Sequence, residues 1–321
     1  MTAAKVLLTD YAWPDLDLER ALLADAGAEL VVAPAGDAAT LAALAAEHRV
    51  QAIMTTWARV TADVIAASPH CRIVARLGIG LDNIDVAFAT ERKIMVTNVP
   101  DYCLDEVAEH ALALILALGR KIGWYHAATK SGSYELGSGP ELRRIAGQTL
   151  GIVGLGNIGR ALASRAAALG LRVLASGRTP RELPGIRWCT LDELLAESDY
   201  VSLHVPATPE TRHLIGRAQL ARMKPTAYLV NTARGALVDE QALSEALAAG
   251  RLAGAGLDVQ QQEPPPLDQA PWNDPRVIVT PHAAFVSRES LIELRNTCTR
   301  QVVERLHGRV PKNVVNPQVL A

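Results

Sequence analysis

Three glycines with a regular spacing are the first residues here that could do chemistry. The run Thr149-Leu-Gly-Ile-Val-Gly154-Leu155-Gly156-Asn157-Ile158-Gly159-Arg160 has the G-x-G-x-x-G spacing, directly behind an apolar stretch and directly before a helical pattern. Gly154 permits a tight turn, Gly156 lets the backbone approach a pyrophosphate, and Gly159 lets the helix pack closely on the strand. The N–H groups of the first helical turn, around Leu155, Asn157 and Ile158, then face the phosphates. Without a strand and a helix on either side, the same glycines would signify only a turn. A site that selects NAD carries Asp or Glu about 20 residues further on, at the end of the next strand. That stretch reads Val173-Leu-Ala-Ser-Gly177-Arg178-Thr179. Gly177 stands where the acid would be, and Arg178 and Thr179 offer a guanidinium and a hydroxyl to a 2′-phosphate. NADP(H) is therefore expected over NAD(H). The competing reading is a solvated arginine beside a NAD site held by other contacts.

A glycine turn works only if a sheet and helices hold it. Short β-branched runs at Lys5–Thr9, Glu29–Val32, Gln51–Met54, Arg72–Ala75 and Ile94–Thr97 alternate with helical patterns such as Asp15–Ala26 and Thr61–Ala67. A second series begins at Thr149, with strands near Leu150–Val153, Arg172–Ala175, Tyr200–Leu203, Ala227–Val230, Gly254–Leu257 and Val277–Val279 and helices such as Gly159–Leu169 and Glu240–Ala248. Such alternation makes parallel sheets covered on both faces. The fold class is α/β with two Rossmann-like domains, a flavodoxin-like substrate-binding domain and a dinucleotide-binding one, and an active-site cleft is expected between them. The longest helical pattern, Leu104 to Leu118, joins the two series. The turn-rich segment Ser131–Pro140 follows it as a loop or subunit-contacting extension. The tail from Ser287 to His307 reads as one helix that returns to the first series. The expected domains are 1–98 with 288–321, and 99–287.

The 321 residues are 49% hydrophobic and 21% charged, material for two compact domains. Lys and Arg number 32 against 34 Asp and Glu, so no basic surplus exists for a nucleic-acid backbone, and no such partner is expected. The longest apolar run, Ala111–Leu118, is too short to cross a bilayer, and Met1–Asp10 lacks a leader pattern, so the expected compartment is the cytoplasm with no membrane partner. The four cysteines are far apart without a CxxC pair, which argues against disulfides or a zinc site, and no metal is expected.

Three further segments carry a resemblance: Leu229-Val-Asn-Thr-Ala-Arg234-Gly235-Ala-Leu-Val-Asp239, Gly256-Leu-Asp258-Val-Gln-Gln-Gln-Glu263-Pro264 and Thr280-Pro-His282-Ala-Ala. Together with Arg76-Leu77-Gly78-Ile79-Gly80-Leu-Asp-Asn83 and Asn98-Val-Pro100, they resemble the D-isomer-specific 2-hydroxyacid dehydrogenases over nearly the whole chain. The resemblance implies hydride transfer between a nicotinamide and C2 of a 2-oxo or 2-hydroxy acid. Charge then develops on the substrate oxygen, so a donor titrating near neutrality is needed, and His282 takes that place. Glu263 would fix the His282 tautomer and favour its charged form, and Arg234 would clamp the substrate carboxylate or carbonyl. Taken singly, each of the three is equally well a structural group; the order Arg, Glu, His within three motifs makes the catalytic reading.

The resemblance also puts Val205, Pro206, Thr232, Ala233, Asp258 and Ile79 against the cofactor, with Asp258 at the nicotinamide amide. Backbone N–H groups of the Arg76–Gly80 loop would hold the substrate carboxylate, Leu77 and Gly78 foremost, with Arg76 as a charged addition. Trp57 and Phe285 would shape the pocket for the substrate side chain. His110 and His204 read as hydrogen-bonded core groups and Cys103 as an inert thiol. The implied assembly is a homodimer built on the long helix and the extension after it. Two rival readings fit the same residues. One is a dinucleotide-sensing scaffold similar to the C-terminal-binding protein corepressors; the other is an oxidoreductase acting on phosphite or a phosphonate.

Overall fold

The computed structural model describes residues 3–181 and 183–321. Met1 and Thr2, which belong to the segment read for a leader, and Glu182 lie outside them. The chain divides into two compact units, Met1–Tyr102 with Ser287–Ala321, and Cys103–Val286. The first unit extends past residue 98 because the Val99 N–H donates to the Gly78 carbonyl and the Gln301 amide to the Asn98 carbonyl. Ser287 goes with the tail because its hydroxyl caps the helix that follows.

Among the described residues of the first unit, strands β1 (Ala4–Leu8), β2 (Ala28–Val32), β3 (Ala52–Thr55), β4 (Ile73–Arg76) and β5 (Met95–Thr97) form one sheet in the order β2-β1-β3-β4-β5. Every pairing is parallel. That is the flavodoxin-like order, whose switch point lies between β1 and β3. Crossovers carry α1 (Asp17–Asp25), α2 (Ala38–Glu47), α3 (Ala62–Ala66) and α4 (Val86–Glu91). Asp37 and Asp85 cap α2 and α4 by accepting the N–H of Thr40 and Phe88. β3 and β4 are buried at every position, as strands covered on both faces must be.

The second unit opens with α5 (Leu104–Gly119) and α6 (Ile122–Lys130), followed by β6 (Thr149–Val153), α7 (Asn157–Ala168), β7 (Arg172–Ser176), β8 (Ile186–Trp188), α8 (Leu191–Glu197), β9 (Tyr200–Leu203), α9 (Arg217–Arg222), β10 (Tyr228–Asn231), α10 (Glu240–Ala248), β11 (Gly254–Leu257) and β12 (Val277–Val279). The strands pair in parallel in the order β8-β7-β6-β9-β10-β11-β12, the dinucleotide-fold order with one strand added beyond its last. One face of the sheet packs Leu203, Leu229 and Leu243, the other Ile152, Leu162 and Val230 with Leu114 and Ile115 of α5. The tail helix α11 (Arg288–Leu306) packs on α1 and β4 of the first unit, where buried Arg295 bonds Glu19 at 2.8 Å through both its Nε and an Nη.

Among the described residues no helix is long and apolar enough to cross a membrane, and no cluster of His, Cys, Asp or Glu is arranged to hold a metal ion. The four cysteines are free.

Candidate active site

The glycine turn lies at the switch point of the second sheet, between β6 and β9. Gly154 has φ 100°, and a Cβ there would lie 2.6 Å from the His204 carbonyl oxygen and 2.7 Å from Val205 Cγ1. Gly159 has the Gly154 carbonyl 2.3 Å from its would-be Cβ, so helix and strand touch through it. Gly156 differs: nothing lies within 4 Å of an added Cβ, and it begins α7 without a side-chain cap. The turn is therefore closed against protein at two glycines and open at the third. Leu155 is buried in the core, whereas Asn157 accepts from the Arg160 guanidinium at 2.6 Å on the surface and Ile158 is half-buried. At the end of β7, Gly177, Arg178 and Thr179 are exposed, and Trp188 of β8 comes 3.4 Å from where a Gly177 Cβ would be. Pro206 is exposed, and its carbonyl accepts from the Thr211 hydroxyl.

Arg234, Glu263 and His282 follow β10, β11 and β12, and the register of those strands sets their spacing. Buried Asn231, the last residue of β10, donates to the Arg234 carbonyl at 2.8 Å and accepts the Ala233 N–H at 3.1 Å. Gly235 comes next, where a Cβ would stand 1.9 Å from the Gln260 carbonyl carbon, so only glycine lets the β11 loop pass this close to Arg234. The Gln260 N–H donates to Glu263 Oε1 at 3.1 Å, and Glu263 Oε2 lies 2.8 Å from His282 Nδ1. Burial opposes charge on Glu263, but the hydrogen bond and charge of His282, the Gln260 N–H and the nearby Arg234 together hold its carboxyl below the ordinary value. The pair is thus a carboxylate backing an imidazole, with a guanidinium in electrostatic range. Phe285 stands edge-on to the His282 ring, centroids 6.2 Å apart. A cavity of about 340 Å³ opens beside the pair, lined by Gln260, Glu263, Pro264, Leu267, Val279 and Thr280.

His282 has φ 53°, the left-handed region, where a residue with a Cβ costs about 1 kcal/mol or more. Its N–H donates to the Asp258 carbonyl at 2.8 Å. The Asp258 carboxylate, fully buried, accepts the Thr280 hydroxyl and the N–H groups of Ala283 and Ala284. Asp258 therefore shapes the turn that carries His282. Thr232 is buried, and its Oγ1 has no hydrogen-bond partner among the described protein groups.

In the first unit the Arg76–Gly80 loop corrects one expectation. The Leu77 N–H donates to the Thr55 carbonyl at 2.8 Å, because the β3–β4 ladder runs one residue past the strand, so it is not a donor for a substrate. Gly78 has φ 151°, and the Arg76 guanidinium lies 2.8 Å from its would-be Cβ. Arg76 is buried and donates to the carbonyls of Gly80 at 3.0 Å and of Leu77, bracing the loop from within. Asn98 donates to the Ile79 carbonyl at 2.8 Å. Trp57 is 38% exposed, with its N–H donated to Asp10.

A family model for the NAD-binding domain of D-isomer specific 2-hydroxyacid dehydrogenases matches residues 112–284. The chain belongs to that family. It is 42% identical over 268 residues to a glyoxylate reductase of Korarchaeum cryptofilum, covering 81% of each chain. Among solved structures, an NADPH-dependent glyoxylate/hydroxypyruvate reductase from Sinorhizobium meliloti, in complex with NADP and malonate, superposes with a TM-score of 0.88 at 30% identity, covering 98% of this chain and 97% of that one. A D-lactate dehydrogenase from Aquifex aeolicus complexed with NAD and lactic acid does so with 0.88 at 28%, covering 97% and 99%. This 2-hydroxyacid dehydrogenase is accordingly an oxidoreductase that works on CH–OH donors and their 2-oxo counterparts with a nicotinamide cofactor.

The dehydrogenase fits that cofactor on its own geometry: an open Gly156, a positive-φ Gly154, an α7 start without a side-chain cap and the unpartnered Thr232 hydroxyl. Residue-by-residue reading missed Asn231, Gly235, Gln260 and Thr280, which help place Arg234, Glu263 and His282. The only local signal for two of them was adjacency: Gly235 follows Arg234, and Thr280 stands two residues before His282.

Proposed function

We propose that the dehydrogenase reduces small 2-oxoacids to D-2-hydroxy acids, with NADPH preferred to NADH. The observation that carries the reaction is the 2.8 Å contact between Glu263 and His282 Nδ1, with the Arg234 charge acting on the same carboxylate. Glu263 holds Nδ1, which leaves Nε2 of His282 to carry the proton delivered to the substrate oxygen. Arg234, always charged, pairs with the substrate carboxylate or carbonyl and favours the negative charge that grows on oxygen. The Gly78–Gly80 turn receives the carboxylate, with Arg76 keeping the turn in shape. Phe285 and Trp57 border the substrate side chain. The reduced nicotinamide supplies the hydride to C2 when bound. Gly154, Gly156, Gly159 and the start of α7 hold its pyrophosphate, Val205, Pro206, Thr232, Ala233 and Ile79 line its path, and Arg178 with Thr179 meets the 2′-phosphate.

Glyoxylate and hydroxypyruvate are the first substrates to offer, on the strength of the relatives named above. The test is a panel of glyoxylate, hydroxypyruvate, phenylpyruvate and phosphite with both cofactors, followed by nicotinamide absorbance. Turnover of a 2-oxoacid supports the reading. Turnover of phosphite alone, or binding of dinucleotide without any turnover, replaces it. Arg178→Ala is expected to lower kcat/KM for NADPH by about 10-fold or more while sparing NADH, as loss of one charged hydrogen bond implies. An unchanged preference removes Arg178 from the cofactor site.

The proposal includes a homodimer and a cytoplasmic setting. The dimer is supported by α6, which has no buried residue, and by Tyr134 and Leu136 after it, each 91% exposed. Light scattering after size exclusion tests it, a monomer mass being the contrary result.

A further inference from the structure

We propose that His110 on α5 is a positioning residue for the reduction: through the Thr280 hydroxyl it locks the Asp258 carboxylate that sets the turn carrying His282. The proposal rests on His282 being the proton donor.

Three consecutive N–H groups end on one residue. His282 donates to the Asp258 carbonyl at 2.8 Å, Ala283 to Oδ1 at 2.8 Å and Ala284 to Oδ2 at 2.9 Å. A left-handed His282 persists because this acceptor over-determines it. The direction of the imidazole toward Glu263 therefore depends on where the Asp258 carboxylate sits. That carboxylate has no exposed surface, and the Thr280 hydroxyl with the Ala283 and Ala284 N–H groups holds it in place.

Thr280 Oγ1 lies 2.6 Å from Asp258 Oδ1, and His110 Nε2 lies 3.0 Å from Thr280 Oγ1 and 3.5 Å from Asp258 Oδ1. A threonine hydroxyl has one hydrogen. With that hydrogen given to the carboxylate, Oγ1 can only accept from His110, whose Nε2 must therefore carry a proton. The chain runs in one direction, from imidazole N–H to hydroxyl to carboxylate. Packing explains why α5 can supply it. A Cβ on Gly256 of β11 would lie 3.1 Å from Leu114 Cβ, so the helix meets the strand at that glycine. His110 is one turn before Leu114 on the same helix face, and Asp258 is two residues after Gly256, so the two side chains arrive at the same level.

The experiment measures the 321-residue protein with glyoxylate and NADPH. His110→Leu is expected to lower kcat by about 10-fold to 100-fold, the scale of a displaced catalytic group, while KM for glyoxylate and Kd for NADPH stay within about 2-fold. His110→Gln, which keeps an N–H donor near the Nε2 position, should recover most of kcat. Thr280→Val should reproduce the His110→Leu loss, and the double variant should be no worse than either alone, since all three break one chain. Should His110→Leu fail to fold, His110→Gln and Thr280→Val carry the comparison. A His110→Leu enzyme with wild-type kcat, or His110→Gln and His110→Leu impaired alike, overturns the proposal. His282→Ala separates the two claims. If it turns over at the wild-type rate, the donor reading itself is wrong; if it is inactive while His110→Leu is fully active, only the positioning claim falls.

Discussion

The two units share one architectural idea, a parallel sheet whose order reverses at a switch point, and use it in opposite ways. In the second unit the switch point is a glycine turn, open at Gly156, and α7 starts there without a side-chain cap. In the first unit the equivalent place, between β1 and β3, is filled by the chain itself. Asp10, just after β1, accepts the N–H of Thr56 at 3.0 Å and of Trp57 at 2.6 Å, and also the Thr9 hydroxyl. A protein carboxylate thus sits where the doubly wound fold usually offers its donors to a ligand. The fold alone does not make a dinucleotide site; what matters is whether the N–H groups after the strands are left for a phosphate or already taken by a side chain.

The largest expected effect breaks the open switch point. Gly154→Ala combines a φ of 100° with a Cβ 2.6 Å from the His204 carbonyl, so it should cost more than about 3 kcal/mol of stability and abolish dinucleotide binding. Gly156→Ala has ordinary φ and open space, so the fold should change by less than about 0.5 kcal/mol. The added methyl enters the open face we assign to the pyrophosphate, and NADPH affinity should fall by at least about 10-fold. Thermal unfolding and fluorescence titration of the two variants measure this. Equal effects on folding would show that the openness at Gly156 has no meaning for binding.

That distinction could be read in advance from the spacing, because three glycines between an apolar strand and a helix carry their meaning locally. The strands were legible for the same reason: Val277–Val279 is a β-branched run, and Tyr200–Leu203 and Gly254–Leu257 are mostly apolar, each between turn residues. What escaped was structure without a local pattern. α6 packs no buried residue against its own unit, β8 is three residues on a sheet edge, and α2, Ala38–Glu47, is mostly alanine with little contrast between faces. The site shows the same divide. Arg234, Glu263 and His282 stand out within their motifs, whereas the grip of Asp258 on Ala283 and Ala284 exists only because β11 and β12 pair across an intervening loop. The Leu77 N–H belongs to a ladder with β3, a partner that its own sequence does not announce.

A smaller effect tests the second unit by pH. His204 follows β9 beside Gly154, its Nε2 2.8 Å from the Ser202 hydroxyl. Burial pushes the imidazole down to about 4 from 6.5, although part of the residue reaches the surface. Above about pH 6.5 the ring is neutral whether folded or unfolded and contributes nothing. Between 6.5 and about 4 the unfolded chain takes up a proton that the folded one refuses, so acidification favours unfolding, and below about 4 the loss levels off. The full shift corresponds to at most about 3 kcal/mol, less in proportion to the ring's contact with water. Urea unfolding from pH 7 to pH 4.5 should show this loss, and His204→Gln should flatten it. Identical slopes for the two proteins would mean that His204 is not held neutral.

The smallest effect probes the closed switch point. Asp10→Asn keeps one acceptor oxygen and turns the other into an NH2 group, so either Thr56 or Trp57 is left with its N–H facing a donor. The cost should be about 1–2 kcal/mol, the scale of one lost hydrogen bond to a part-buried group. NADPH affinity should not change, because neither Asp10 nor its partners Thr56 and Trp57 are among the residues proposed against the cofactor. KM for a 2-oxoacid should rise if Trp57 borders the substrate, since its backbone loses a fixed point while its ring keeps its size. Unfolding, cofactor titration and steady-state kinetics on the one variant separate these outcomes. A lost affinity for NADPH would show that the first unit's switch point also serves the dinucleotide, and the contrast between the two units would then be one of degree.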